Sequence, residues 1–299
     1  MTNMHDPAKI LVLGAAGMLG STVFRYFCDA GPYNVTGTLR SDSKRAYFTG
    51  TQQDNLVSGL DVTSDYSVRE LFAQTTPDVV INCIGIIKQL HAAKNHLMSL
   101  EINSMLPHKL AQLCEKHGAR LVHLSTDCVF SGEKGLYTES DFPDANDLYG
   151  RTKYLGEVDY PHAITLRTSI VGHELSSTNS LVDWFLSQKE TVHGFGKAVF
   201  SGLPTTEIAR IIDNHVIPNP ELHGLYHVSA DPIDKLTLLR LIADVYKKDI
   251  QIIRDDKLVI DRSLNSGRFR TATGFVPDAW PILVQKMHDT AQLIGSKNV

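Results

Sequence analysis

Tyr149 and Lys153 put a phenol and an ammonium four residues apart, so on a helix they project from one face. Ser125 and Thr126 precede them, at the end of a short apolar run. Hydroxyl, phenol and ammonium together can move a proton onto or off a carbinol oxygen. A free tyrosine ionises near pH ~10, too high for a base at neutrality, and a neighbouring ammonium favours its phenolate. In the reductive direction the same phenol protonates the alkoxide. Thr126 would hold the oxygen, and Asp127 follows it toward the same space. A Tyr–Lys pair alone is also what an ordinary amphipathic helix carries. Its order after Ser125 and Thr126 sets it apart.

Residues 121–126 form an apolar run rich in Leu and Val, the pattern of a strand buried on both faces that releases Ser125 and Thr126 at its carboxyl end. Asn146 or Asp147 can cap the helix expected over 149–160. Earlier, residues 9–13 read as a buried strand that runs into Gly14-Ala-Ala-Gly17-Met18-Leu19-Gly20, with a helix over 21–30. Strand, glycine turn and helix in that order set backbone N–H groups and a helix amino end against a pyrophosphate. Gly14, Gly17, Met18, Leu19 and Gly20 are therefore expected cofactor contacts.

The second strand, 33–39, ends at Arg40, with Ser41, Lys44 and Arg45 following. An acidic ribose reader is missing there, and a guanidinium suits a 2′-phosphate, so NADP(H) is favoured over NAD(H). Residues 60–62 are expected to close a third strand, with Asp61 and Val62 near the adenine; helix capping by Thr63, Ser64 or Asp65 explains the same polar residues. A fourth strand is expected over 78–85, with Cys83, Ile84 and Gly85 against the cofactor and Lys88 on the loop beyond it, facing the substrate. A long helix over 94–117 would bury Asn103, a candidate packing or proton-relay residue.

Composition limits the partners. The 299 residues carry a net charge of -4, with 42% hydrophobic and 21% charged residues, and give no footprint for nucleic acid. No signal peptide or membrane span is expected, which points to the cytoplasm. Cys28, Cys83, Cys114 and Cys128 form no close pair and read as reduced thiols, and the histidines lack metal-ligand spacing, so no metal is expected. After residue 171 the alternation of strands and helices loosens. Helices are expected over 180–188 and 234–247, and a strand over 224–229. The Asp261-Arg262-Ser-Leu-Asn265-Ser-Gly-Arg268 stretch groups guanidinium and amide donors suited to phosphate oxygens, facing the 201–206 loop; surface ion pairs with Asp255, Asp256 or Asp261 are the plain alternative.

These residues together resemble the extended short-chain dehydrogenases/reductases, and within them the dTDP-4-dehydrorhamnose reductase group. Gly14-x-x-Gly17-x-x-Gly20, Asp61, Ser125-Thr126-Asp127-x-Val129-Phe130 and Tyr149-Gly150-x-x-Lys153-x-x-Gly156-Glu157 carry the resemblance. Leu166-Arg167-Thr168, Gly202-x-Pro204-Thr205 and Arg262/Asn265/Arg268 extend it. It implies an α/β fold, a Rossmann doubly wound parallel sheet with a smaller C-terminal α/β substrate lobe. Residues 1–170, with 205–230 returning, would bind the dinucleotide; 171–204 and 231–299 would hold the sugar. It further implies Thr126, Tyr149 and Lys153 as the catalytic set, with Lys88, Thr126, Asp127, Arg262, Asn265 and Arg268 toward a nucleotide-sugar substrate, and it leaves room for a homodimer.

Two positions depart from the group. Cys128 stands where an aromatic is more usual, and Thr152 where serine is. Cys128 also occupies the place of the Glu carried by nucleotide-sugar dehydratases. The rival readings are an epimerase with bound NAD, disfavoured by the missing acid after strand two, and a regulatory subunit of the same fold, disfavoured by the intact Tyr149/Lys153 set.

Overall fold

The computed structural model describes residues 7–87 and 95–297. Apolar β-branched runs form the strands β1 (Ala8–Leu13), β2 (Tyr33–Leu39), β3 (Leu56–Ser58), β4 (Val79–Asn82), β5 (Arg120–Thr126) and β6 (Ala163–Thr168). With Gly224–His227 they make a seven-stranded sheet in the order β3-β2-β1-β4-β5-β6 and then Gly224–His227, parallel throughout. The chain reverses direction across the sheet between β1 and β4, and a crevice opens at such a point beyond the carboxyl ends of the strands.

Both faces of the sheet are covered, so the strands read as continuous apolar runs. Ile10 and Val12 face one core with Phe24, Phe27, Val122 and Ile164. Leu11 and Leu13 face the other with Val80, Leu110, Leu121 and Phe72. This period of two follows from the pleat. The helices are α1 (Met18–Asp29), the short α2 (Thr51–Asp54), α3 (Asp65–Thr75), α4 (His96–Ser99), α5 (Leu106–His117) and α6 (Leu148–Leu155). The helix Thr205–Ile211 returns to α1, where Thr22 and Thr205 hydroxyls lie 3.0 Å apart and Tyr26 donates to Asp213 at 2.9 Å. The first core continues from there into Phe200, Leu203, Phe269, Trp280 and Leu283. Ala198–Phe200, Ile233–Asp234 and Ile260–Asp261 form a small separate sheet.

Several elements differ from expectation. The third strand is Leu56–Ser58 rather than one closing at 60–62. Gly59 at φ +84 ends it, and Asp61 folds back to accept from Thr63 N at 3.0 Å and Thr63 Oγ1 at 2.7 Å. Ser64, one of the expected caps, accepts from Ser67 N and starts α3. The fourth strand stops at Asn82, whose Oδ1 takes the Ile84 N–H at 3.1 Å and turns the chain. The long helix begins after Asn95, and its middle, Leu100–Met105, is a π-helical segment between α4 and α5. Such bulges redirect side chains and recur at functional sites. None of the four cysteines forms a disulfide among the described residues, and among the same residues no helix is long and apolar enough to cross a membrane.

The glycine turn has a steric reason. Gly14 has φ +81, and a Cβ on Gly20 would sit 2.1 Å from the Gly14 carbonyl oxygen. Gly20→Ala should therefore force the turn open. It should cost about 1–3 kcal/mol in denaturant unfolding and weaken dinucleotide binding. A variant with unchanged stability and affinity would show that this close approach is not needed.

Candidate active site

Thr126 ends β5 and caps the short 3-10 turn Asp127–Val129, where its hydroxyl oxygen accepts from Cys128 N at 3.1 Å. α6 starts beside this turn, capped by Asp147, which accepts from Gly150 N at 2.9 Å. Tyr149 is half-buried and hydrogen-bonded to the Thr126 side chain. Lys153, one turn on, is 4% exposed and donates from Nζ to the Leu124 carbonyl at 2.8 Å. The three groups named from the sequence thus meet at the carboxyl end of β5.

Their environments push them in opposite directions. Burial, followed by the nearby Cys128, Asp127 and Asp147, raises the Tyr149 phenol well above its usual value, although the Thr126 hydrogen bond acts the other way. Burial lowers the Lys153 ammonium to about 8, with Glu157 and then Cys83 opposing. A phenol kept protonated beside a hydroxyl is a proton donor for an oxygen bound between them. Asp127 is buried, and burial raises its carboxyl while the cations Lys235 and Arg262 oppose this.

Lys235 was not found in the sequence. It opens the helix Lys235–Val245, its ammonium lies 3.8 Å from the centre of the Phe200 ring, and it faces Asp127 and Cys128. Its only sequence signal is the first position after the cap Asp234, a local feature that says nothing about which distant loop it meets.

The C-terminal donor cluster divides. Arg262 reaches the site, donating from Nε to the Phe130 carbonyl at 2.8 Å and from Nη1 to Cys128 Sγ at 3.8 Å. Asn265 is exposed and its Oδ1 accepts from Gly267 N at 2.8 Å. Arg268 is carried off by the helix Gly267–Thr273, which packs on the edge strand. There it donates to the Leu225 carbonyl at 3.1 Å and covers the Tyr226 ring at 4.5 Å. The expected cluster of three is thus one guanidinium, a turn-forming amide and a structural arginine. Among the described residues no ion pair joins Arg262 or Arg268 to Asp255, Asp256 or Asp261; Asp256 pairs with Arg254, Asp255 accepts from Lys257 N and Asp261 from Ser263 N.

On the dinucleotide side, α1 has no side-chain cap, so the amino end of a twelve-residue helix faces outward over the glycine turn. That and the tight Gly14–Gly20 approach fit a pyrophosphate. Arg40 is exposed at the end of β2. Lys44 reaches Ser176, and Arg45 is spent on Asp42, Ser58 and the Gln53 and Leu56 carbonyls. Of the three expected cations, Arg45 is structural. Asp61 is held by Thr63, and Val62 packs against the second core. Burial pushes the Cys83 thiol up to about 12, so it stays neutral beside Ile84 and Gly85. Lys88 lies outside the described residues.

Asn103, in the π segment, accepts from Ile86 N at 2.8 Å and donates to the Ile86 carbonyl at 3.0 Å and Thr152 Oγ1 at 3.2 Å. Its amide holds the loop after β4 to α6, the packing role of the two expected from the sequence.

Parallel sheet, glycine turn and Thr–Tyr–Lys grouping define a short-chain dehydrogenase/reductase of the extended kind. The chain belongs to the RmlD substrate binding domain family, whose model matches residues 8–256. It is 25% identical over 235 residues to a dTDP-4-dehydrorhamnose reductase of Aggregatibacter actinomycetemcomitans, covering 75% of this chain and 74% of that protein. It is 33% identical over 176 residues to the probable low-salt glycan biosynthesis reductase Agl14 of Haloferax volcanii, covering 57% of this chain. That match spans 56% of the Haloferax protein, a little more than half its length. The fold is similar to a dTDP-4-dehydrorhamnose reductase from Bacillus anthracis in complex with NADP, at TM-score 0.77 and 20% identity, covering 95% of this chain and 99% of that one.

The split of the arginines gives a direct test. Arg262→Ala should raise KM for the substrate at least tenfold, as loss of a charge-assisted contact of about 1.5–3 kcal/mol implies. Arg268→Ala should leave KM unchanged and cost only about 0.5–1 kcal/mol of stability through the lost ring contact. The opposite pattern in steady-state kinetics would return Arg268 to the site.

Proposed function

We propose that this chain is an NADPH-dependent ketoreductase acting on a 4-keto nucleotide sugar of the dTDP-4-dehydrorhamnose kind, in deoxysugar or polysaccharide precursor synthesis in the cytoplasm. The observation that carries the reading is the half-buried Tyr149 phenol, kept protonated and hydrogen-bonded to Thr126, with Lys153 one helical turn on. The family membership and the names of the relatives support the substrate class. A Bacillus subtilis relative, 28% identical over 228 residues, is named as a spore coat polysaccharide biosynthesis protein.

When bound, the reduced dinucleotide supplies a hydride to the carbonyl carbon. The protein does the rest. Thr126 holds the carbonyl oxygen, and Tyr149 gives it a proton as negative charge develops there. The Lys153 ammonium stabilises the phenolate that remains, and Leu124 fixes that ammonium in place. Asp127 beside Thr126, with Arg262 and Lys235 from the C-terminal side, faces the same space, and the three suit the polar groups of a sugar nucleotide. Exposed Arg40, with no acidic residue at the end of β2, favours the 2′-phosphate of NADPH over NADH.

Three measurements check this reading. The unmodified protein should consume NADPH with a 4-keto nucleotide sugar. Tyr149→Phe should lose about 10²–10⁴-fold in kcat while keeping NADPH affinity, because only the proton donor is removed. Arg40→Ala should erase most of a roughly ten- to hundredfold preference for NADPH over NADH. Full activity in Tyr149→Phe, or equal affinity of the unmodified protein for both dinucleotides, would contradict the respective assignment.

A further inference from the structure

Behind the reacting groups lies a buried charged network that the proton transfer itself does not use. α6 ends at Leu155, and Gly156 passes so close to the π segment that a Cβ there would stand 1.9 Å from the Asn103 carbonyl oxygen. The chain turns inward at that contact and delivers Glu157 beneath β5 and β6. The Glu157 carboxylate accepts from the Ser125 hydroxyl at 2.6 Å and from Arg167 Nε and Nη2 at 2.8 and 2.5 Å. The side chains of Arg167 and Glu157 are 1% and 8% exposed. Arg167 also pairs through Nη1 with His227 Nε2 at 2.8 Å and lies 4.9 Å from the Phe130 ring centre. Ser125 and Arg167 are partners in the β5–β6 register.

As a source of stability this arrangement is poor, because desolvating two charges offsets most of their attraction, and apolar replacements of buried pairs are often as stable. Its other neighbour is the site: Glu157 follows Lys153 by four residues and its charge acts on that ammonium. We infer that Glu157 is a positioning residue for the proposed reduction, tying the end of α6, and with it Lys153, to the strand that carries Thr126. The inference rests on the ketoreductase reading for its role in turnover.

The groups around Lys153 make the assignment specific. Cys83 comes from the turn after β4, His123 from β5, and Tyr149 and Glu157 from α6 and its end. Burial keeps the Cys83 thiol and Tyr149 phenol protonated, and holds His123 well below its usual value and so neutral. Arg167, the other cation on Glu157, adds no negative charge. Glu157 is the foremost group offsetting the desolvation that draws Lys153 down to about 8, with Cys83 a lesser one. Removing the Glu157 charge lowers Lys153 further, so the ammonium is lost at a lower pH, and activity that needs it falls as pH rises through the new midpoint.

The test is an NMR titration of protein labelled with ¹³C at lysine Cε, with Lys153→Met identifying the signal. In Glu157→Gln the Lys153 midpoint should fall by about one unit or more. The alkaline limb of kcat should move with it, a loss of about fivefold at pH 8 for a one-unit fall. Glu157→Asp, which keeps a charge for Arg167 but withdraws it by one methylene, should show a smaller fall and carries the test if Glu157→Gln does not fold. A Lys153 midpoint equal to that of the unmodified protein in the folded variants would overturn the inference and leave a purely structural ion pair. The titration needs no substrate. A lowered midpoint in a protein that consumes no NADPH with any 4-keto nucleotide sugar would therefore support the electrostatic link and sink the ketoreductase reading alone.

Discussion

The hydrogen bond from the Lys153 ammonium to the Leu124 carbonyl, 2.8 Å long and buried, is the constraint on which the site depends. α6 has only eight residues and little apolar stripe of its own, so local propensity cannot hold it in place. It is fixed from outside. Asp147 caps its start, Ser104 donates to the Thr152 carbonyl at 2.8 Å, and Asn103 grips Thr152 Oγ1. The π segment in the preceding helix aims Ser104 and Asn103 at α6. With the helix so held, Lys153 reaches the backbone of β5 and Tyr149 reaches Thr126.

The same burial sets the chemistry. Taking phenol and ammonium out of water favours their neutral forms, which raises one group and lowers the other. An acid whose proton stays on at neutrality and a cation only just retained make a donor backed by a charge that stabilises the donor's anion. Relief of the ammonium's desolvation comes from Glu157, then Cys83, and from the hydrogen bond to the Leu124 carbonyl. Burial alone would draw the lysine lower still. Site and fold therefore share one device, the approach of α6 to the ends of β5 and β6.

How far this was legible in the sequence follows from the range of each signal. The glycine turn, the buried strands and the Tyr149–Lys153 spacing are local, with periods set by the pleat and the helix, and they appear where the residues imply. Strand ends were less legible. Asp61 and Asn82 each bend the chain through a side-chain hydrogen bond that composition does not reveal. The C-terminal half was least so. Arg262 and Arg268 look alike in the chain, but the turn at Asn265 starts a helix between them and sends them to different partners. Lys235 meets Asp127 only because its helix packs across the molecule, which no local pattern encodes. The Asn103 amide looked equally suited to packing or relay, and its engagement by Ile86 and Thr152 depends on the π segment.

The central claim is that the pinned Tyr149–Thr126 pair protonates a ketone oxygen while hydride arrives at the carbon. NADPH carrying deuterium at both C4 positions of its nicotinamide, turned over with a 4-keto nucleotide sugar, tests it most directly. The product's NMR spectrum should show one deuterium, bound to the new carbinol carbon. A product lacking deuterium at that carbon, or a sugar altered in configuration with the labelled dinucleotide unconsumed, would contradict it.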